Sequence, residues 1–404
     1  MSWVTPIAKL IDAIVRPLGA DPVHGIRVRQ IDISCNSEGS SDRVIATYAF
    51  EHDAAVSGKV VSFDLSASPL SFVRAQGSRC RVLGPVRFSG GRILLCHLLP
   101  GEDWHSASVE ICLAWPARST DAHSPPLTIF PAMLPALVNE RFNLGRWPQP
   151  VLRYAGDVEP AAFIGTSADE NGALRQLALY RGDYAATVSV HPNVALRLGV
   201  GLTNVAETQE TSVLSLLTDI MRFLAADLRY DVNACILALA VERTPEYPAL
   251  WGTPCLSESP SAYGLSNGVQ PNHATLARSL AGLWWASGCR LAGENAFELS
   301  FAICGALGLR WTAHVDSART ARFVEGYLLQ SRDAQRPSSA RLGWRWLLSL
   351  YEHMCRREGV MDTLRRLTAE HYGYVVPAHD VRACLVRAGV ALDQLMPPGL
   401  TVRD

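Results

Sequence analysis

Between His24 and Ala117 apolar and polar residues alternate in short segments: GIRVRQIDISC, RVIATYAFE, KVVSFDLSA, RVLGPVRFSGGRILLCHLL and SASVEICLAW. A period of two places successive side chains on opposite faces of a pleated strand, and Gly, Ser, Pro and Asp bound the segments. The pattern predicts antiparallel strands with a hairpin turn at Ser89-Gly90-Gly91, and from them an all-β sandwich. Residues 118 to 135, rich in Pro, Ser and Ala, read as a surface connection, after which strands resume from 139 to 205.

Beyond that the period lengthens. From Thr211 to Leu228, TSVLSLLTDIMRFLAADL repeats Leu and Ile at three- and four-residue steps, an amphipathic helix, and NACILALAVE follows as a strand. Asn272 to Ala302, NHATLARSLAGLWWASGCRLAGENAFELSFA, reads as two helices joined by a short turn. In the first, Leu276, Leu280, Leu283 and Trp284 recur at helical spacing, with Asn272 as N-cap and Gly288 as the stop. In the second, Phe297, Phe301 and Ile303 with Ala296 and Ala302 make a buried face. The rest is helical: SARTARFVEGYLLQS, SARLGWRWLLSLYEHMCRREG, VMDTLRRLTAEHYG and HDVRACLVRAGVALDQLM. The fold class expected is α+β: an N-terminal β domain over residues 1–205, carrying a short N-terminal docking helix, and a mainly helical domain over residues 206–404.

Composition narrows the function classes. With 37 basic and 38 acidic residues the formal charge is -1, so nothing argues for nucleic acid or an anionic membrane surface as partner. The longest apolar runs, Cys235 to Val241 and Phe301 to Leu307, are too short to span a bilayer. The start of the chain lacks a charged region ahead of an apolar run and reads as a docking helix, not a signal peptide. Ten cysteines, scattered without CxxC or Cys-His spacing, suggest buried reduced thiols and a cytoplasmic protein. Arg and Ala outnumber Lys and Ile, a bias suggestive of a GC-rich bacterial genome. No GxSxG, Walker loop or GxGxxG occurs.

The 272–302 pair resembles the active-site helices of the gluzincin zinc aminopeptidases, the aminopeptidase N and leukotriene hydrolase type. Their first helix carries HExxH followed by an aromatic pair, and their second a Glu in a sequence like NEGFA. Here Arg278-Ser279-Leu280-Ala281-Gly282-Leu283-Trp284-Trp285 stands where His-Glu-Leu-Ala-His-Gln-Trp-Trp would. By that match Arg278 and Gly282 replace the two zinc histidines and Ser279 the catalytic glutamate, while Glu294 matches the third ligand across a connection shorter than the family's. A second likeness lies in the β region, where VSFDL, GPVRF-turn-RILLCHLLP and SVEICLAW follow the order of the family's saddle-shaped N-terminal domain. ALYRGDYAATV resembles the strand that closes it.

The resemblance implies an N-terminal sandwich or saddle followed by a thermolysin-like catalytic-type domain, with a cleft between. Catalytic zinc needs three protein ligands and an open position, so the expected metal and cofactor set is none. The substrate-gripping GxMEN motif is missing, and Glu258 and Tyr263 are the candidate binding residues in its interval. In the weaker match at Ser339 to Gly343, Ala340 stands where the family has a tyrosine. The expected function is that of a pseudo-peptidase reusing the cleft for a metal-independent reaction on a small molecule in bacterial secondary metabolism. Glu294 and Glu298 are the candidate acid/base residues, and Arg278, Ser279 and Trp285 line the site with Glu258 and Tyr263. The alternative is a non-catalytic scaffold for a peptide or protein. His314 with Asp316 is a weaker acid/base pair, read chiefly as an exposed turn, and His371 and His379 read as surface residues.

Overall fold

A computed structural model describes residues 26–38, 41–52, 60–65, 70–88, 91–99, 107–114, 128–129, 134–137, 147–148, 150–156, 160–164, 176–180, 184–199, 207–232, 235–241, 248–251, 273–293, 295–332 and 338–392. The expected N-terminal docking helix, Asn272, and three of the candidate residues, Glu258, Tyr263 and Glu294, lie outside them. The chain divides into two compact units, the first made of residues 1–120, 127–144 and 149–181, the second of 121–126, 145–148 and 182–404.

The first unit is built on β1 (Ile26–Glu38), β2 (Ser41–His52), β3 (Val60–Asp64), β4 (Ser71–Ser78), β5 (Cys80–Phe88), β6 (Gly91–Leu98), β7 (Ala107–Ala114), β8 (Thr128–Ile129) and β9 (Ala136–Leu137). Past β10 (Trp147–Pro148), which belongs to the second unit, come β11 (Val151–Gly156), β12 (Pro160–Ile164) and β13 (Gln176–Tyr180). One sheet has the order β11-β1-β2-β7-β4 and a second β5-β6-β3-β9, with a small sheet β12-β13-β8. The inner faces of the two larger sheets share one core, in which Ile33, Val44, Tyr48, Ile111, Phe63, Leu94 and Leu98 are buried together and the Tyr48 and Phe63 rings meet at 5.1 Å. The sandwich expected from the period-two pattern is therefore present. It is not wholly antiparallel, because β11 runs parallel to β1.

Two local features shape it. On β1 the buried positions change parity, from Ile26 and Val28 to Ile31, Ile33 and Cys35, and the register slips between Val28 and Gln30. A bulge is what lets a strand keep its apolar face after one extra residue. Between β4 and β5 stands Arg79 at a φ of 55°, where the chain passes from the edge of one sheet to the edge of the other. β4 itself was not foreseen, since its burial pattern lacks a clean alternation.

The second unit begins with β14 (Tyr184–His191) and β15 (Val194–Gly199), an antiparallel pair, followed by α1 (Glu207–Leu228) and β16 (Cys235–Val241), which lies parallel to β15. β17 (Pro248–Trp251) completes this sheet. Leu217, Ile220, Met221, Leu224 and Leu228 form the buried stripe of α1 at the helical spacing expected. Then come α2 (His273–Gly282), a π turn (Leu283–Gly288), β18 (Cys289–Ala292), α3 (Ala296–Val315), α4 (Ser317–Arg332), α5 (Ser338–Arg356) and α6 (Glu358–His371). β19 (Tyr374–Pro377) and α7 (Ala378–Arg387) follow.

α3 is the axis of this unit. It is buried continuously from Leu299 to Leu309 and at Trp311 and Thr312, the mark of a helix enclosed on all sides. Its Arg310 is forked onto Asp227 of α1, Nε to Oδ2 at 2.9 Å and Nη2 to Oδ1 at 3.0 Å, and donates to the Met354 carbonyl of α5 at 3.1 Å. Arg365 of α6 donates to the Asp227 carbonyl at 2.7 Å. Burial lowers the Arg310 pKa, but the hydrogen bond and charge of Asp227 outweigh it and hold the guanidinium charged. Asp227 thus joins α1 to α3 and α6, and Arg310 carries the tie on to α5.

Candidate functional site

The site predicted from sequence lies on α2 and α3, and glycine sets how close these helices come. A β-carbon at position 308 would stand 2.7 Å from the Ala274 carbonyl oxygen and 2.8 Å from the Arg278 nitrogen, so α3 lies directly on the α2 backbone. At 305 it would strike Leu347 of α5, with Arg278 Cδ 3.6 Å away. Arg278 and Ser279 are each 5% exposed. Gly282, Leu283, Trp284 and Trp285 are buried too.

Arg278 is held by rings. Its Cζ lies 4.9 Å from the centroid of Phe301 and 5.9 Å from that of Trp344. Phe301 and Trp344 meet edge to face at 4.7 Å, and Tyr327 of α4 lies 4.4 Å beyond Trp344. A guanidinium is weakly hydrated and stacks on aromatic faces, and these rings supply such faces to it.

The connection between the helices is more than the short turn expected. α2 runs into a π turn, and Gly288 closes it with the Tyr372 ring so near that no side chain fits at this position. β18 then pairs parallel to β19, with Cys289 opposite Tyr374. Asn295 enters α3 at a φ of 58° and makes no side-chain cap. The wide turn separates two tryptophans: Trp284 Nε1 donates to the Tyr230 carbonyl at 2.8 Å, whereas Trp285 Nε1 meets no partner among the described residues. Ser300 of α3 donates to the Trp285 carbonyl at 2.9 Å. Neither the π turn nor this serine contact has a signal in the hydrophobic period.

Of the other candidates, Glu298 sits in the first turn of α3, half-buried, with its Cα 3.8 Å from where a β-carbon at Gly343 would be. Phe301, one turn further on, is the ring beneath Arg278. Of the described candidates, Arg278 and Ser279 lie on α2, Trp285 on the π turn that follows it and Glu298 on α3. Glu294 lies outside the described residues, so its partners are not part of this geometry. Phe297, expected on the buried face, is 46% exposed, because it lies in the first turn of α3, where no described neighbour covers it.

His371, expected at the surface, is 3% exposed, since the β18–β19 pairing draws the end of α6 inward. His379 is exposed beside Asp380. His314 ends α3 in the open, and Asp316 accepts from the Arg319 backbone N–H at 2.9 Å, a cap for α4. Among the described residues no three His, Cys, Asp or Glu side chains come together as a metal-binding group. Eight described cysteines are thiols outside any disulfide, six of them buried.

This fold is similar to that of solved LTA4 hydrolase and M1 zinc metallopeptidase structures. It is similar to native yeast LTA4 hydrolase with a TM-score of 0.57 and 9% identity, over 94% of this chain and 69% of that one. It is also similar to a zinc metallopeptidase of family M1 from Deinococcus radiodurans bound to a Tyr-Ser-Ala substrate, with a TM-score of 0.51 and 13% identity over 92% and 93% of the two chains. Aminopeptidase A from Legionella pneumophila, in complex with aspartic acid, has a TM-score of 0.54 and 9% identity over 90% of this chain and 48% of its own. At such identities the likeness defines the fold alone. No protein-family model and no curated protein sequence matches the chain. No described helix is long and apolar enough to cross a membrane.

Proposed function

We propose that this chain is a pseudo-peptidase, an aminopeptidase-type fold without zinc-dependent hydrolysis that receives a small molecule in the inherited site for a metal-independent reaction. The observation that carries this is Arg278, buried at the heart of the helix pair with its guanidinium over Phe301. Zinc takes Cys, His, Asp or Glu, and the donor set here does not fit it. By the resemblance the two histidine positions hold a guanidinium and a glycine, and the general-base position holds Ser279, whose hydroxyl is no base near neutral pH.

Glu298, half-buried in the first turn of α3, is an acid/base candidate that needs no metal, with Glu294 beside it in the sequence. An enclosed donor at Trp285 without an acceptor among the described residues favours a site that takes a ligand. A bacterial biosynthetic setting and a cytoplasmic location fit the composition. The scaffold reading, a peptide or protein held without chemistry, is favoured by a different observation: Trp284 and Trp285 are both fully buried and close the pair with side chains.

The experiment is hydrolysis of aminoacyl chromogenic substrates. The wild type, and a variant carrying Arg278→His, Ser279→Glu and Gly282→His supplied with zinc, are both expected to be inactive, because α3 lies directly on the α2 backbone at Arg278 and small displacements cost catalysis heavily. Turnover by the wild type would overturn the pseudo-peptidase reading. Turnover by the triple variant would show that the frame still places a zinc site.

A further inference from the structure

Charge is spread unevenly along this chain. No acidic residue falls between Asp64 and Glu102, whereas Arg74, Arg79, Arg81, Arg87 and Arg92 all do, a formal charge of +5 in a chain whose total is -1. The fold gathers these residues on one side of the sandwich. β4 ends one large sheet and β5 ends the other, and the two strands follow one another through Arg79. At that corner the Cys80 thiol of β5 donates to the Ser108 carbonyl of β7 at 3.3 Å, which holds the two edges together.

Arg74, Arg79, Arg81 and Arg87 are exposed there, and Arg92 lies over the Phe72 ring at 5.0 Å. Glu110 of β7 answers part of the charge, standing 4.0 Å from Arg74 and accepting from the Gln76 amide at 3.0 Å. Arg81 and Arg87 form no ion pair among the described residues. Charged residues on an open edge ordinarily serve to keep other strands from pairing with it. Here other devices already do so: the register slips between Phe72 and Arg74 and between Val82 and Gly84, and Pro85 brings no N–H to β5. The clustered charge exceeds that need, and like charges set side by side repel.

Aliphatic surface lies among the arginines. Val73, Leu83 and Leu99 are 44%, 50% and 46% exposed, and the Leu99 N–H donates to the Arg79 carbonyl at 3.2 Å. Such a surface suits a partner that brings carboxylates and apolar side chains together. Single-stranded nucleic acid stacks its bases on aromatic rings, and none of the described residues from 70 to 99 is an exposed aromatic.

We propose that the β4–β5 side of the sandwich is a docking surface for an acidic segment of a partner protein. Its carboxylates meet Arg74, Arg81 and Arg87, and its aliphatic side chains cover Val73, Leu83 and Leu99. This surface does not depend on the pseudo-peptidase reading, which concerns α2 and α3.

The test is fluorescence anisotropy with the full chain and a fluorescein-labelled peptide of repeated Glu-Leu-Glu-Ser. Saturable binding that weakens as salt is raised is expected. Affinity is expected to fall about tenfold or more when Gln replaces every Glu of the peptide, and again when Ser replaces every Leu. The double variant Arg81→Glu, Arg87→Glu is expected to lose binding by a similar factor. Arg222→Glu, Arg387→Glu, which makes the same change of charge at exposed positions elsewhere, is expected to bind as the wild type does, and thermal melts check that both variants are folded.

No binding, or equal binding by the two double variants, overturns the surface. Equal binding of the Ser-for-Leu peptide, or of a labelled oligothymidylate of the same charge, overturns the acidic protein segment and leaves a site for any polyanion. Self-association in sedimentation that disappears in Arg81→Glu, Arg87→Glu assigns the surface to a second copy of this chain and overturns the proposal as stated.

Discussion

One β-carbon is enough to part α2 from α3. At Gly308 it would meet backbone atoms of Ala274 and Arg278, which cannot rotate away, whereas at Gly326 nothing lies within 4 Å. Gly308→Ala is therefore expected to destabilise the fold by about 2–4 kcal/mol by overpacking, and Gly326→Ala to stabilise it by about 0.5–1 kcal/mol through helix propensity. Urea unfolding of the two variants checks the pair, and equal midpoints would show that the helices can separate at little cost. Arg278→Ala should likewise cost far more than Arg222→Ala, whose side chain is 74% exposed.

At this scale the sequence was legible in type but not in place. Leu276, Leu280 and Trp284 declared a helix through their spacing, and all three are buried. Phe297 shares that kind of spacing with Phe301, yet it lies at a helix end, and periodicity cannot say where a neighbouring helix stops. His371 looked like a surface residue because its burial comes from a strand pairing that its own segment does not encode.

Between elements, the strongest tie is the one Asp227 makes to Arg310 and Arg365. Asp227→Asn removes the charge that both guanidiniums face and is expected to cost about 3–5 kcal/mol, read as a lowered urea midpoint with an unchanged slope. A loss below 1 kcal/mol would mark the network as incidental.

The β5–β6 pair makes a prediction about pH. Burial pushes the Cys80 thiol up to about 11, and burial with Cys80 nearby pushes Cys96 to about 12, from an ordinary value of 9.0. Above pH 9 the unfolded chain loses these protons while the fold keeps them, so the unfolded state is favoured as pH rises. Their contribution is complete below about pH 9 and is lost as pH climbs toward the folded values. Thermal melts from pH 8 to pH 11 should show that fall, and its absence in Cys80→Ala, Cys96→Ala would assign it. The sheet alternation that buries these thiols was plain in the sequence, whereas the parallel placement of β11 was not, because a distant pairing partner leaves no period in either strand.

For the whole molecule, two likenesses carried the sequence reading: a saddle-like strand order and a helix pair framed like a metal site. The structures of yeast LTA4 hydrolase and the Deinococcus peptidase share this fold at 9% and 13% identity. That a fold persists at such identity follows from how it is specified, by apolar pattern and packing volume, which many residue choices satisfy. The chemistry of a site is specified by atoms and survives no such exchange. The stack of Arg278 on Phe301 and Trp344 was not legible, since it joins α2 to two helices further along the chain.

The most direct measurement is the zinc content of the purified protein after exposure to excess zinc and exhaustive dialysis. The account predicts far less than one zinc per chain, because Arg278 and Gly282 offer no ligand atom. About one zinc per chain, removed by a chelator together with aminoacyl hydrolysis, would contradict it.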